Sequence, residues 1–267
     1  MKYTIKQFQK DFPNDDVCLG YIFGKKYPDV KGYYRVKGRK CYANSKGEQI
    51  HPIAGTIFEK SSTPLTDWFF AIFLMSQSRN GVSAKELQRH LGVTYKTAWR
   101  IGKQIRELMK QDEEQLFGMV EVDETYIGGQ HRQEDKFKKK TPVIGMVERK
   151  GKMKASVIPN RHTHVILNEL RKGVRKGSHI VTDEFGVYKK VLKLGYTRTA
   201  VKHYRKEFAK GMYHVNSVEG FWSQLKRSID GTYHAVSPKY LQSYVDEFAF
   251  RYNCRTSPVF EAMMARI

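Results

Sequence analysis

An α/β fold with a mixed sheet flanked by helices is predicted for this chain, on three observations. Met119–Ile127 alternates apolar and polar residues at the period of a half-buried strand. Beyond residue 140, strand-like and helix-like stretches follow one another through short connections. Two long helical patterns then follow, Asn216–Ile229 and another from Ser237-Pro238. A small β-rich region and a helical region are expected ahead of this core.

Residues 1–58 read as short β segments and turns. Glycines at 20, 24, 32, 38, 47 and 55 punctuate aromatic or β-branched patches such as Gly32-Tyr33-Tyr34-Arg35-Val36. The pattern turns helical at Thr63, a suitable N-cap, with Pro64 in the first turn and Trp68–Met75 as a buried stretch. Ser83 caps a short helix with apolar Ala84, Leu87 and Leu91, and Gly92-Val93 makes a tight turn. Thr94 then caps a second helix whose inner face is Ala98, Ile101, Ile105 and Leu108. Its outer face carries Tyr95, Lys96, Arg100 and Lys103. Two short helices around a tight turn, the second with a basic outer stripe, form a helix-turn-helix pattern, with those three cations as candidate DNA contacts.

The acidic run Gln111-Asp112-Glu113-Glu114 reads as a linker, so regions are expected at 1–58, 59–112 and 117–267. In the last, the strand 119–127 stops at Gly128-Gly129, and His131–Lys140 reads as a charged hairpin loop. Strands are expected at 142–149 and 153–159, a helix at 163–172, a strand at 178–183, a helix at 186–194 and a strand at 197–202. The final helix turns Leu241, Tyr244, Val245, Phe248 and Tyr252 inward.

Composition points to a polyanionic partner. Lys and Arg number 48 against 27 Asp and Glu, a formal net charge of +21. A surface so positive repels itself until a polyanion neutralises it, and nucleic acid is the usual one. No membrane partner is expected, because the longest apolar run, Trp68–Met75, is far short of the roughly 20 residues of a bilayer span. Three scattered cysteines make no disulfide framework. With no secretory leader read at the start, a cytoplasmic, nucleoid-associated location is expected.

Candidate chemistry rests on carboxylates. Asp123 falls mid-strand and Asp183 ends the apolar stretch from Ser178, places where an unpaired charge costs several kcal/mol, roughly, if desolvated. Glu219 lies on a polar helix stripe with Asn216, Ser223 and Lys226, at helical spacings. Carboxylates from two strands and a helix can converge as oxygen ligands for hard divalent ions, and a pair of such ions serves in-line attack at phosphorus.

These segments resemble a known family. Val122-Asp123-Glu124-Thr125-Tyr126-Ile127-Gly128-Gly129 is similar to the first catalytic motif of one group of bacterial insertion-sequence transposases, of the DDE class. Ile180-Val181-Thr182-Asp183-Glu184-Phe185 resembles the second motif. His214-Val215-Asn216-Ser217-Val218-Glu219-Gly220-Phe221-Trp222, with Leu225-Lys226-Arg227, resembles the third, and 35 residues separate Asp183 from Glu219. Gly55-Thr56-Ile57-Phe58 and the helix-turn-helix also fit the group's front end.

The resemblance implies a ribonuclease-H-like core with Asp123, Asp183 and Glu219 as catalytic metal ligands. Asn216, one turn before Glu219, offers an amide oxygen instead or as well. It further implies two Mg²⁺ (or Mn²⁺) ions, binding of the element's terminal inverted repeats, and strand cleavage and transfer by a homodimer or higher assembly on double-stranded DNA. Lys226 and the basic run Lys202–Lys206 would position phosphates, and His203 and His214, at the approach to the third motif, are candidate contacts to phosphate or the scissile strand. Members of the group begin with a four-cysteine zinc ribbon. Here Tyr21 and Asn44 stand where the second thiolates would follow Cys18 and Cys41, so a degenerate ribbon without structural zinc is expected. The rival readings are a nuclease of the same core that cuts without joining, and a helix-turn-helix regulator with an inactive core.

Overall fold

Thr4 opens the first helix of the computed structural model, which describes residues 3–128, 140–201 and 213–267. Two compact units divide the chain, Met1–Leu108 with Ser257–Ile267, and Met109–Thr256. The first unit thus holds the region expected at 1–58, residues 59–108 of the next, and the last eleven residues of the region expected at 117–267, while 109–112 fall in the second unit.

The first unit begins with helices where short β segments were expected. α1 (Ile5–Asp11) is held by a reciprocal capping box between Thr4 and Gln7, and α2 (Asp15–Lys26) is capped by Asn14, with Asp15 and Asp16 in its first turn. These short-range cap signals outweigh Gly20 and Gly24, which sit inside α2. Cys18 is buried in the first turn of α2 rather than in a strand or hairpin. Only then comes the β-rich part, an antiparallel sheet of β1 (Tyr33–Arg35), β2 (Tyr42–Asn44) and β3 (Gln49–Ile50).

α3 (Leu65–Gln77) starts one residue later than expected, with Pro64 rather than Thr63 at the N-cap. Its buried face joins an aromatic cluster, in which Phe73 lies 5.1 Å from Phe8 and 6.1 Å from Phe260, centroid to centroid. Phe260 belongs to α9 (Val259–Met264), a short helix absent from the sequence expectation. Burying that ring is what draws the tail into this unit. α4 (Ala84–Leu91) and α5 (Tyr95–Glu107) follow the expectation closely. The Ser83 and Thr94 side chains accept from the backbone N–H of Glu86 and Thr97, and Gly92 closes α4 at φ 65°.

The second unit is a five-stranded mixed sheet. β4 (Met119–Ile127), β5 (Thr141–Glu148) and β6 (Met153–Val157) are antiparallel neighbours, while β7 (His179–Thr182) and β8 (Thr197–Ala200) add parallel on the other side of β4. On one face lie α7 (Asn216–Ser228) and α8 (Pro238–Asn253), which bury Val218, Trp222, Leu225, Val245 and Phe248. On the other lie α6 (Thr163–Gly173) and a 3-10 helix (Gly186–Leu194), burying Ile166, Leu170, Tyr188 and Val191. This mixed sheet between helical layers is compatible with a ribonuclease-H-like core.

The acidic run does not behave as a free linker. Gln111 hydrogen-bonds both the N–H and the C=O of Ala155 on β6. Asn253 and Gln242 take the N–H groups of Met153 and Val157, so side chains cap alternate outward groups of this edge strand. The expected hairpin loop, apart from Lys140, and the run Lys202–Lys206 with His203 lie outside the described residues. No described helix is long and apolar enough to cross a membrane.

Candidate active site

The site is built where β4 and β7 part. Their parallel register ends at Glu121 opposite Val181, so Asp123 and Asp183 occupy equivalent positions, each two residues farther along the chain. Asp123 points to the α7 face, as period two requires of a residue between Glu121 and Thr125. There its Oδ2 accepts a hydrogen bond from Trp222 Nε1 at 3.0 Å. Gly145 is the β5 partner of Asp123, and a Cβ at that position would stand 2.6 Å from the Trp222 ring. The missing side chain is what lets the indole reach the carboxylate.

Burial pushes the Asp123 carboxyl up to about 6, helped by the negative charges of Asp183 and Glu219. Asp183 is half-buried just past β7. Its Oδ1 accepts from the Phe185 N–H at 3.0 Å, and its backbone carbonyl accepts from Arg198 Nη2 at 2.8 Å. Glu219 and Asn216 stand on the exposed stripe of α7 with Ser223 and Lys226. The three predicted acids therefore share one electrostatic neighbourhood. Among the described residues, however, no three His, Cys, Asp or Glu side chains close on a single point that could hold a metal ion.

Beneath the sheet, Glu124 makes a second buried carboxylate centre. Arg161 Nη2 lies 3.1 Å from its Oε2, and the Tyr188 hydroxyl donates to its Oε1. Burial also raises this carboxyl to about 6. Arg161 is sandwiched against Phe185, 4.5 Å from the ring centroid, which ties the segment after Asp183 to β4.

Residues 115–253, just over half of the chain, match the family described as the ISXO2-like transposase domain. The chain belongs to that family. A protein of the transposable element ISH50 of Halobacterium salinarum is 27% identical over 229 residues, covering 78% of this chain and 76% of the relative. The simian T-cell lymphotropic virus intasome solved with PP2A regulatory subunit B56 gamma shares 14% identity, over 66% of each chain, at a TM-score of 0.34. That last likeness is too distant to carry an argument. The family and the relative support a transposase of an insertion sequence.

All three predicted acids lie within the matched transposase domain. Lys226 is exposed on α7 and lines a pocket of about 300 Å³ with Lys140, Tyr126 and Asp230. His214, half-buried, places its Nδ1 3.4 Å from Glu121 Oε1. In the first unit, Lys96, Arg100 and Lys103 all stand exposed on α5. Sequence reasoning passed over Glu121, Arg149, Arg161 and Tyr188, and it read Trp222 as core alone. Period two along β4 was the available signal, because it puts Glu121 and Asp123 on one face.

Proposed function

We propose that this chain is a DDE transposase that binds the terminal inverted repeats of its insertion sequence and carries out metal-dependent cleavage and strand transfer. The observation that carries the reading is the placing of Asp123 on β4 and Asp183 just past β7, each two residues beyond the last paired residues of these neighbouring parallel strands, where their charges oppose each other. An all-oxygen pair with that mutual repulsion fits Mg²⁺ or Mn²⁺, which keep some waters and take further oxygens from phosphate. Such ions, two in number, would activate the attacking oxygen and stabilise the leaving one. Asp123 and Asp183 would hold both ions, and Glu219, or Asn216 instead or as well, would complete one of them.

The chain's own groups have separable tasks. Trp222 orients the Asp123 carboxylate through its N–H, and Arg198 and the Phe185 N–H hold Asp183. Lys226 presents a cation to DNA phosphates beside the acids. α4 and α5 are read as a helix-turn-helix whose Lys96, Arg100 and Lys103 contact the element ends, in a homodimer or higher assembly. His203 and His214 remain candidate phosphate contacts. The sheet β1–β3 is read as a ribbon without zinc, so purified protein should carry less than one equivalent of the metal by elemental analysis.

The decisive assay uses oligonucleotides bearing the inverted repeats that flank the reading frame, with Mg²⁺. Asp123→Ala and Asp183→Ala are expected to abolish cleavage and joining while end binding persists. Cleavage without joining by the unaltered protein would favour a nuclease, and end binding without either would favour a regulator. Activity in Glu219→Gln with loss in Asn216→Ala would reassign the third ligand.

A further inference from the structure

Helix α7 has no cap of its own. Its N-cap is Val215, buried and without a side-chain acceptor, so the first N–H groups of a buried helix end need a partner from elsewhere. Glu121 supplies it from 96 residues upstream. Its Oε2 accepts from the N–H of Ser217 at 2.8 Å and of Val218 at 3.4 Å, and its Oε1 accepts from Ser217 Oγ at 2.9 Å. Arg149 Nη2 lies 3.0 Å from Oε1 and balances a carboxylate that is fully buried. A negative group also suits the positive end of the helix dipole.

We propose that Glu121 is the positioning residue that sets α7 against the strand carrying Asp123, an inference that rests on reading Asp123 and its neighbours as the cation site. The geometry has two anchor points. Glu121 grips the first turn of α7, and Asp123, two residues on along β4, takes the Trp222 N–H about a turn and a half farther along the helix. One point alone leaves the helix free to slide or roll. Two points fix both its axial position and its rotation, and so the places of Asn216 and Glu219. An apolar pair could seal the same helix end, but it would not specify which backbone N–H groups abut the strand.

The test reads metal binding directly, by the electron paramagnetic resonance signal of free Mn²⁺ titrated with the full-length protein. Glu121→Gln is expected to weaken Mn²⁺ binding roughly 10–100-fold, as loss of a partner that orients ligands does. Ser217→Ala, which keeps both backbone contacts, should show a smaller loss in the same direction and covers the case in which Glu121→Gln fails to fold. Glu247→Gln is the control for a merely structural role. That glutamate is also fully buried and paired to an arginine, Arg251, at 2.7 Å, but it sits on α8 and accepts from the Tyr233 hydroxyl. Equal losses in Glu121→Gln and Glu247→Gln, or wild-type affinity in a folded Glu121→Gln and in Ser217→Ala, would overturn the proposal. Asp123→Ala separates the two levels of inference. If it too binds Mn²⁺ like the wild type, the cation site itself is misplaced. If it alone loses binding, only the role of Glu121 falls.

Discussion

Replacing Asp123 by Asn should stabilise the metal-free protein while removing its activity. At neutral pH the Asp123 carboxylate is ionised, buried and faced by the charges of Asp183 and Glu219, which raise its pKa from the ordinary 3.8 to about 6. At about 1.4 kcal/mol per pH unit, that displacement costs the folded state roughly 3 kcal/mol at pH 7. The sign follows from proton binding. The folded state holds this proton more tightly than the unfolded chain, so its contribution is fully present below pH 3.8 and is lost as pH rises through about 6. Asparagine carries no charge, and its carbonyl oxygen can still accept from Trp222. The stability advantage of Asp123→Asn over wild type should therefore be near zero at about pH 4 and reach about 2–3 kcal/mol above about pH 6.5. The assay is hydrogen exchange of peptides from β4 and β5 in EDTA across that range, because it reports on the second unit alone. Saturating Mg²⁺ should then stabilise the wild type and leave Asp123→Asn unchanged. An Asp123→Asn protein no more stable than wild type at about pH 7.5, or an advantage that does not vary with pH, would refute the reasoning.

The remaining predictions concern packing, recognition and caps. Gly145→Ala would push a methyl into the Trp222 ring, so a loss of about 1–3 kcal/mol is expected, with a shift in tryptophan emission as the indole leaves Asp123. Replacing Lys96, Arg100 and Lys103 together by Ala should weaken binding to element ends and flatten the log–log salt dependence by about 0.9 for each DNA phosphate that is no longer neutralised. An unchanged slope in a filter-binding titration would move recognition to the β1–β3 region. Ser83→Ala should cost about 1 kcal/mol of the first unit's stability by urea unfolding, because α4 then has no side-chain acceptor at its N-terminus.

Signals that act within one helical turn or along one strand were legible in the chain itself. Ser83, Thr94 and Gly92 mark α4 and α5 because a cap bonds its own helix three or four residues away. The alternation in Met119–Ile127 marks β4, and the resemblance to an insertion-sequence transposase agrees with the transposase domain that residues 115–253 match. The N-terminal helices carry the same kind of signal, in Thr4-x-x-Gln7 and Asn14, and it prevails over the turn preference of Gly20 and Gly24. What tertiary structure alone decided are the partnerships across long separations. Glu121 reaches Ser217 across 96 residues and Trp222 reaches Asp123 across 99, while Phe260 returns to the aromatic cluster of the first unit. No local preference encodes such contacts. They exist because a buried helix end and a buried carboxylate each need a partner, and only the folded sheet brings the two within hydrogen-bonding distance.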